Sequence, residues 1–94
     1  GRVHASTSGR IPTGVLNRFL EEVTSSLQPP FVKGKRARFY YITQPSVAPP
    51  TFIAWVNDPT RIPHNYRRFL DNRLRQRFGF EGSPLRWVFK RRQS

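Results

Sequence analysis

The chain has 94 residues, too few for two domains but enough for one modest core, and its 36% hydrophobic residues, with eight Phe, three Tyr and two Trp, argue against disorder throughout. Seventeen Lys and Arg stand against five Asp and Glu, a formal net charge of +12, so the leading class of partner is a polyanion. The lack of cysteine excludes a disulfide framework and thiolate metal sites, two isolated histidines cannot build a zinc site, and no apolar run approaches the roughly 18 residues of a membrane span.

Residues 1–10 carry no hydrophobic periodicity and read as a flexible linker, the tail of something longer that begins here without Met. The first helix starts at Thr13, the expected N-cap, and its apolar stripe is Val15, Leu16, Phe19, Leu20, Val23 and Leu27. Arg18 and Glu22 are expected to pair on its wet side. Pro29 and Pro30 end it, and a loop from Phe31 to Lys35 presents Lys33, Gly34, Lys35 and Arg36 as a basic tip. Arg38 to Gln44 alternates as a strand, with Phe39, Tyr41 and Thr43 toward the core and Arg38, Tyr40, Ile42 and Gln44 away from it. A loop from Pro45 to Pro50 leads to a second strand, Thr51 to Asn57, whose inward residues are Phe52, Ala54 and Val56 and whose outward residues include Ile53 and Trp55.

Asn57, Asp58 and Pro59 mark a turn before the central helix, which Asn65 is expected to cap and Gly79 to close. Tyr66, Phe69, Leu70, Leu74 and Phe78 form its core stripe. Arg67, Arg68 and Arg75 gather on the other side around Asp71. Arg67 and Arg68 occupy the first turn, where the helix dipole disfavours cations by roughly 0.3–1 kcal/mol each, so they hint at a function that outweighs local stability. A solvated arginine face is the alternative. The last strand, Leu85 to Lys90, turns Leu85, Trp87 and Phe89 inward and Arg86, Val88 and Lys90 outward, and residues 93–94 belong to a frayed tail.

Helix, strand, strand, helix, strand packs as an α+β domain, two helices on one face of a three-stranded sheet. The five acids are scattered, no Ser, His and acid grouping occurs and no phosphate-cradling loop is visible, so no catalytic or metal-binding residues are assigned. Gly79-Phe80-Glu81-Gly82 matches the GxxG spacing of KH domains in form only. It closes a helix before a strand and carries an acid at its middle, so it reads as a helix cap and turn.

The runs Arg10-Ile-Pro-Thr13 with Leu16-Asn17, Phe39-Tyr-Tyr41 with Gln44, Pro50-Thr-Phe52, Val56-Asn-Asp-Pro59, Tyr66-Arg-Arg68 with Leu70 and Asn72, and Phe78-Gly-Phe-Glu-Gly82 with Pro84 resemble the C-terminal KH-like domain of the Der (EngA) family. Those proteins are double GTPases of ribosome assembly, and the resemblance covers about residues 10–92. It implies a KH-like fold of the second type (order α-β-β-α-β) without a functional GxxG clamp, spanning residues 11–92 behind a linker, residues 1–10, from a preceding GTPase domain. It further implies action in large-subunit maturation in the bacterial cytoplasm, or the organelle stroma of a plant. Implied partners are ribosomal RNA or the pre-large ribosomal subunit and the GTPase domains of the same chain, with no membrane and no small-molecule substrate. GTP and Mg belong to those GTPase domains, and no cofactor is expected in this one. Arg77 stands where the family has a small residue, and it must snorkel out from beside the core stripe.

Two sets of residues are therefore singled out. Lys33, Lys35, Arg36, Arg67, Arg68 and Arg75 are candidates for RNA backbone contact. Tyr40, Ile42, Ile53, Trp55 and Val88 are candidates for an apolar outer sheet face that docks on a GTPase domain.

Overall fold

The computed structural model describes residues 9–80 and 82–92; the expectations for residues 1–8, Glu81 and residues 93–94 lie outside the described residues. Its elements are α1 (Thr13–Ser26), a small ladder of β1 (Phe31–Val32) and β2 (Lys35–Arg36), β3 (Phe39–Val47), β4 (Pro50–Val56), a 3-10 turn (Pro59–Arg61), α2 (His64–Phe78) and β5 (Arg86–Arg91). The main sheet has the order β3-β4-β5. β3 and β4 form an antiparallel hairpin, and β5 returns parallel to β4 because α2 carries the chain back across the sheet.

Both helices cover one face. Leu16, Phe19, Leu20 and Val23 of α1 and Tyr66, Leu70 and Leu74 of α2 close over Ile42, Phe52 and Val56 in a single cluster, with Trp87 and Phe89 packed against it. The stripe on α1 is narrower than expected, since Val15 and Leu27 are about half exposed. Neither expected N-cap operates. Pro12 and Pro63 precede the helices, no side chain caps either start, and Thr13 and Asn65 lie inside the first turn. Proline holds φ at about −60° at each helix entry, −56° at Pro12 and −69° at Pro63, which pre-orients the chain without supplying a side-chain acceptor to the first turn. Gly79 closes α2 in the left-handed conformation, φ 80°, where a side chain would be strained.

β3 contains a bulge. Phe39 pairs with Val56, but Tyr41 pairs with Trp55, so Tyr40 is an extra residue. Because strand side chains alternate, one inserted residue exchanges the two faces beyond it. Ile42 and Gln44 therefore point into the core, 0% and 6% exposed, and Tyr41 and Thr43 point out. The expected inward set for this strand is correct at Phe39 and wrong at Tyr41 and Thr43.

Polar side chains then fasten the edge of the sheet. Asn17 of α1 accepts from the Ile42 backbone N–H (2.9 Å) and donates to the Ile42 carbonyl (3.0 Å), filling the place of a neighbouring strand on the outer edge of β3. Gln44 accepts from the Ile11 N–H and donates to the Gly9 carbonyl, both at 2.8 Å, while Arg10 donates to the Gln44 carbonyl. Gly9 and Arg10, the end of the expected linker, are thus strapped to β3 together with Ile11. Tyr66 donates its hydroxyl hydrogen to the Leu27 carbonyl at 2.6 Å, tying α2 to the end of α1, and burial pushes its pKa up to about 12.

Candidate nucleic-acid interface

The basic tip is a built hairpin rather than a loop. Lys33 (φ 55°) and Gly34 (φ 81°) are its two turn residues, and positive φ at both central positions is the type I′ geometry of two-residue hairpins. Lysine is an unusual choice for that conformation, which favours Gly, Asn and Asp. Lys33, Lys35 and Arg36 are all exposed. The Arg36 guanidinium lies 4.2 Å from the ring centre of Phe31, itself 65% exposed, and donates through Nε to the Pro29 carbonyl. Arg61 braces the hairpin from below by donating to the Val32 carbonyl at 2.7 Å. Arg61 also pairs with Asp58, whose carboxyl is held below its ordinary pKa first by the Thr60 hydroxyl and further by Arg91 and Arg61.

The arginines of α2 divide differently from expectation. Arg67, Asp71 and Arg75 repeat every four residues and form a half-buried seam against β5 and the turn before it. Arg67 donates to the Pro59 and Ile62 carbonyls, both at 3.1 Å, and its guanidinium sits 4.6 Å from the Phe89 ring centre. Asp71 accepts from Arg75 Nε (2.9 Å) and from the Trp87 indole N–H (3.0 Å). Arg75 also donates to the Phe80 and Ser83 carbonyls. Arg67 and Arg75 are therefore corrected from free phosphate ligands to internal fasteners, and the first-turn placement of Arg67 follows from the carbonyls it reaches. Arg68 remains exposed and makes no hydrogen bond among the described residues. Arg77 does snorkel out. It pairs with Glu22 of α1, so the expected Arg18–Glu22 pair gives way to a bridge between helices.

Among the described residues, no helix covers the face of the sheet opposite α1 and α2, and that face is open. Ile42 does not belong to it and is corrected from the docking set to the core. Tyr40 sits at the bulge under Arg92, whose guanidinium is 4.7 Å from its ring centre. Tyr41 takes the place assigned to Ile42, 40% exposed and stacked on Trp55 with ring centres 5.6 Å apart at 21°. The Trp55 indole nitrogen is buried without a hydrogen-bond partner among the described residues, so the ring is held without a hydrogen bond. Ile53 is half-buried, Val88 is 39% exposed, and Arg86 and Lys90 flank Val88 on the same side of β5. Arg86, Lys90 and Arg92 are basic residues that the RNA set lacks. The outward alternation of β5 does display the first two in the sequence.

Among the described residues no group of three or more His, Cys, Asp or Glu could hold a metal, and no helix is long and apolar enough to cross a membrane. What the surface offers is guanidinium and ammonium groups beside exposed rings, a chemistry suited to phosphates and base faces.

Comparison with known proteins agrees with this geometry. A family model described as the KH-domain-like C-terminal part of EngA bacterial GTPase enzymes matches residues 10–90. GTPase Der of Syntrophotalea carbinolica is 51% identical over 85 residues, 90% of this chain and 19% of that protein. GTPase Der of Thermomicrobium roseum is 46% identical over 91 residues, 97% of this chain and 20% of that protein. The chain thus spans about a fifth of the length of these relatives, and the portion it matches is not itself catalytic. With two helices on one face of a mixed three-stranded sheet and a match over most of its length, the chain belongs to the family of KH-domain-like C-terminal domains of EngA (Der) GTPases.

Proposed function

We propose that this domain is the RNA-contacting accessory module of a ribosome-assembly GTPase and works during maturation of the large ribosomal subunit. The observation that carries the reading is the Phe31–Arg36 hairpin, which holds three cations at an exposed tip beside an exposed ring. Phosphate contact by such side chains releases counterions and sets affinity with little regard to sequence. Lys33, Lys35, Arg36 and Arg68 carry this contact, with no cofactor of the domain's own; GTP and Mg serve the GTPase domains. The setting is the bacterial cytoplasm or an organelle stroma. The test is the salt dependence of RNA binding by the 94-residue chain. Replacing Lys33 and Lys35 by Gln lowers the log–log slope by about 1.4–1.8, at roughly 0.7–0.9 per lost contact. A slope unchanged by the double variant overturns the role of the hairpin.

A second reading, docking on the GTPase domains of the same protein, draws on the apolar row of Ile53 and Val88 across the open sheet face. It expects Val88→Asp to loosen the association of domains in a full-length relative while the domain itself stays folded.

A further inference from the structure

We propose that the open face of the main sheet is a stacking platform for unpaired RNA, on which the Tyr41–Trp55 pair receives a base and Lys90 and Arg86 hold the flanking phosphates. The proposal rests on the RNA reading above and narrows its ligand from polyanion to single strand. Strand register arranges the face in three rows. Tyr41, Trp55 and Lys90 form the first, Thr43, Ile53 and Val88 the second, and Ser46, Thr51 and Arg86 the third. The first row is two stacked rings, with Lys90 Nζ 5.6 Å from the Trp55 ring centre. At about 3.3 Å per residue, Lys90 and Arg86 stand roughly 13 Å apart along the edge strand, with the apolar row between them.

Three physical arguments choose the occupant. Ring faces on a sheet stack bases of any sequence, because every base presents a π-face. The rows carry two cations and no acid, so the face is complementary to a polyanion. A protein partner that buried it would have to desolvate Lys90 and Arg86 as well, a cost that only matching acids would offset. A duplex fits poorly, since its bases are already stacked on one another and its accessible groove offers 2′-hydroxyls and phosphates.

The experiment uses the 94-residue chain carrying Trp87→Phe, which leaves Trp55 as the single tryptophan, titrated with a single-stranded oligoadenylate of about 12 nucleotides and with an RNA duplex of the same length. The single strand quenches Trp55 fluorescence. Tyr41→Ala weakens single-strand binding by about 5- to 100-fold and leaves duplex binding unchanged, while Tyr41→Phe retains the affinity of the parent. Binding of single-stranded RNA without quenching and without sensitivity to Tyr41→Ala overturns the platform and leaves the RNA reading standing. Failure to bind either RNA at any salt concentration overturns both. Quenching of Trp55 by the isolated GTPase domains of a relative, with none by RNA, overturns the platform in favour of protein docking.

Discussion

The two faces of the sheet use the same chemistry for opposite purposes. On the helix-covered side, Arg67 and Arg75 spend their donors on carbonyls of the surrounding turns, and Arg75 also pairs with Asp71, so their charges are built into the packing. On the open side, Lys90 lies over a tryptophan ring and Arg86 is exposed. At the hairpin, Lys33 and Lys35 also extend into solvent. The number of arginines on an element therefore says little about binding. What decides is how much of a guanidinium fork is already bonded: among the described residues Arg75 gives both Nε and Nη1 to groups of the domain, whereas Arg36 gives only Nε, to the Pro29 carbonyl.

The largest effects should separate the faces by stability. Ile42→Ala removes a fully buried side chain and costs about 2–5 kcal/mol, whereas Val88→Ala on the open face costs under about 1 kcal/mol. Urea unfolding of both variants checks this, and equal costs would break the assignment of faces. Next comes the seam. Asp71→Ala strands the Trp87 indole and one donor of Arg75, a loss of about 1–3 kcal/mol, while Arg68→Ala stays within roughly 0.5 kcal/mol. Arg67→Gln likewise lowers stability without changing the salt slope of RNA binding, because its donors face inward.

Tyr66→Phe loses one hydrogen bond to the Leu27 carbonyl, about 1 kcal/mol. Its pKa rises on folding, from 10.0 to about 12, so the folded state favours the neutral phenol. The contribution is complete below pH 10 and fades as pH climbs toward about 12. Denaturation midpoints measured across that window should fall more steeply for the parent than for Tyr66→Phe. One expected change in stability is a gain. Lys33→Asn places a residue better suited to φ 55° at the turn, and adds up to about 1 kcal/mol while weakening RNA binding. A variant that is more stable and binds RNA as well as the parent would show that Lys33 is not held there for contact.

Most of the architecture was legible because periodicity reports burial directly. The alternation of Phe52, Ala54 and Val56, and of Trp87 and Phe89 against Arg86, Val88 and Lys90, gave β4 and β5 their correct faces. Gly79 marked the end of α2 through its backbone freedom. The bulge at Tyr40 was not legible. Phe39, Tyr40, Tyr41 and Ile42 are all apolar enough to occupy either face, so no polar residue signals the phase change, and the docking set inherited the error at Ile42. The seam was hidden for another reason. Arg67, Asp71 and Arg75 look like a wet face in one dimension, and only the return of β5 supplies the rings and carbonyls that absorb them. Asn17 and Gln44 stood within the runs that carry the family resemblance, but the long-range partners that explain them are backbone groups, which a sequence does not display.

The strap that Gln44 places on Gly9 and Ile11 has a mechanical consequence. A tether that ends in a free coil lets two bodies reorient about a soft joint, whereas one anchored on a strand passes a twist straight into the sheet. Because the anchoring amide is buried at 6% exposure and is bonded at both its oxygen and its nitrogen, Gly9 to Ile11 move with β3 as one lever.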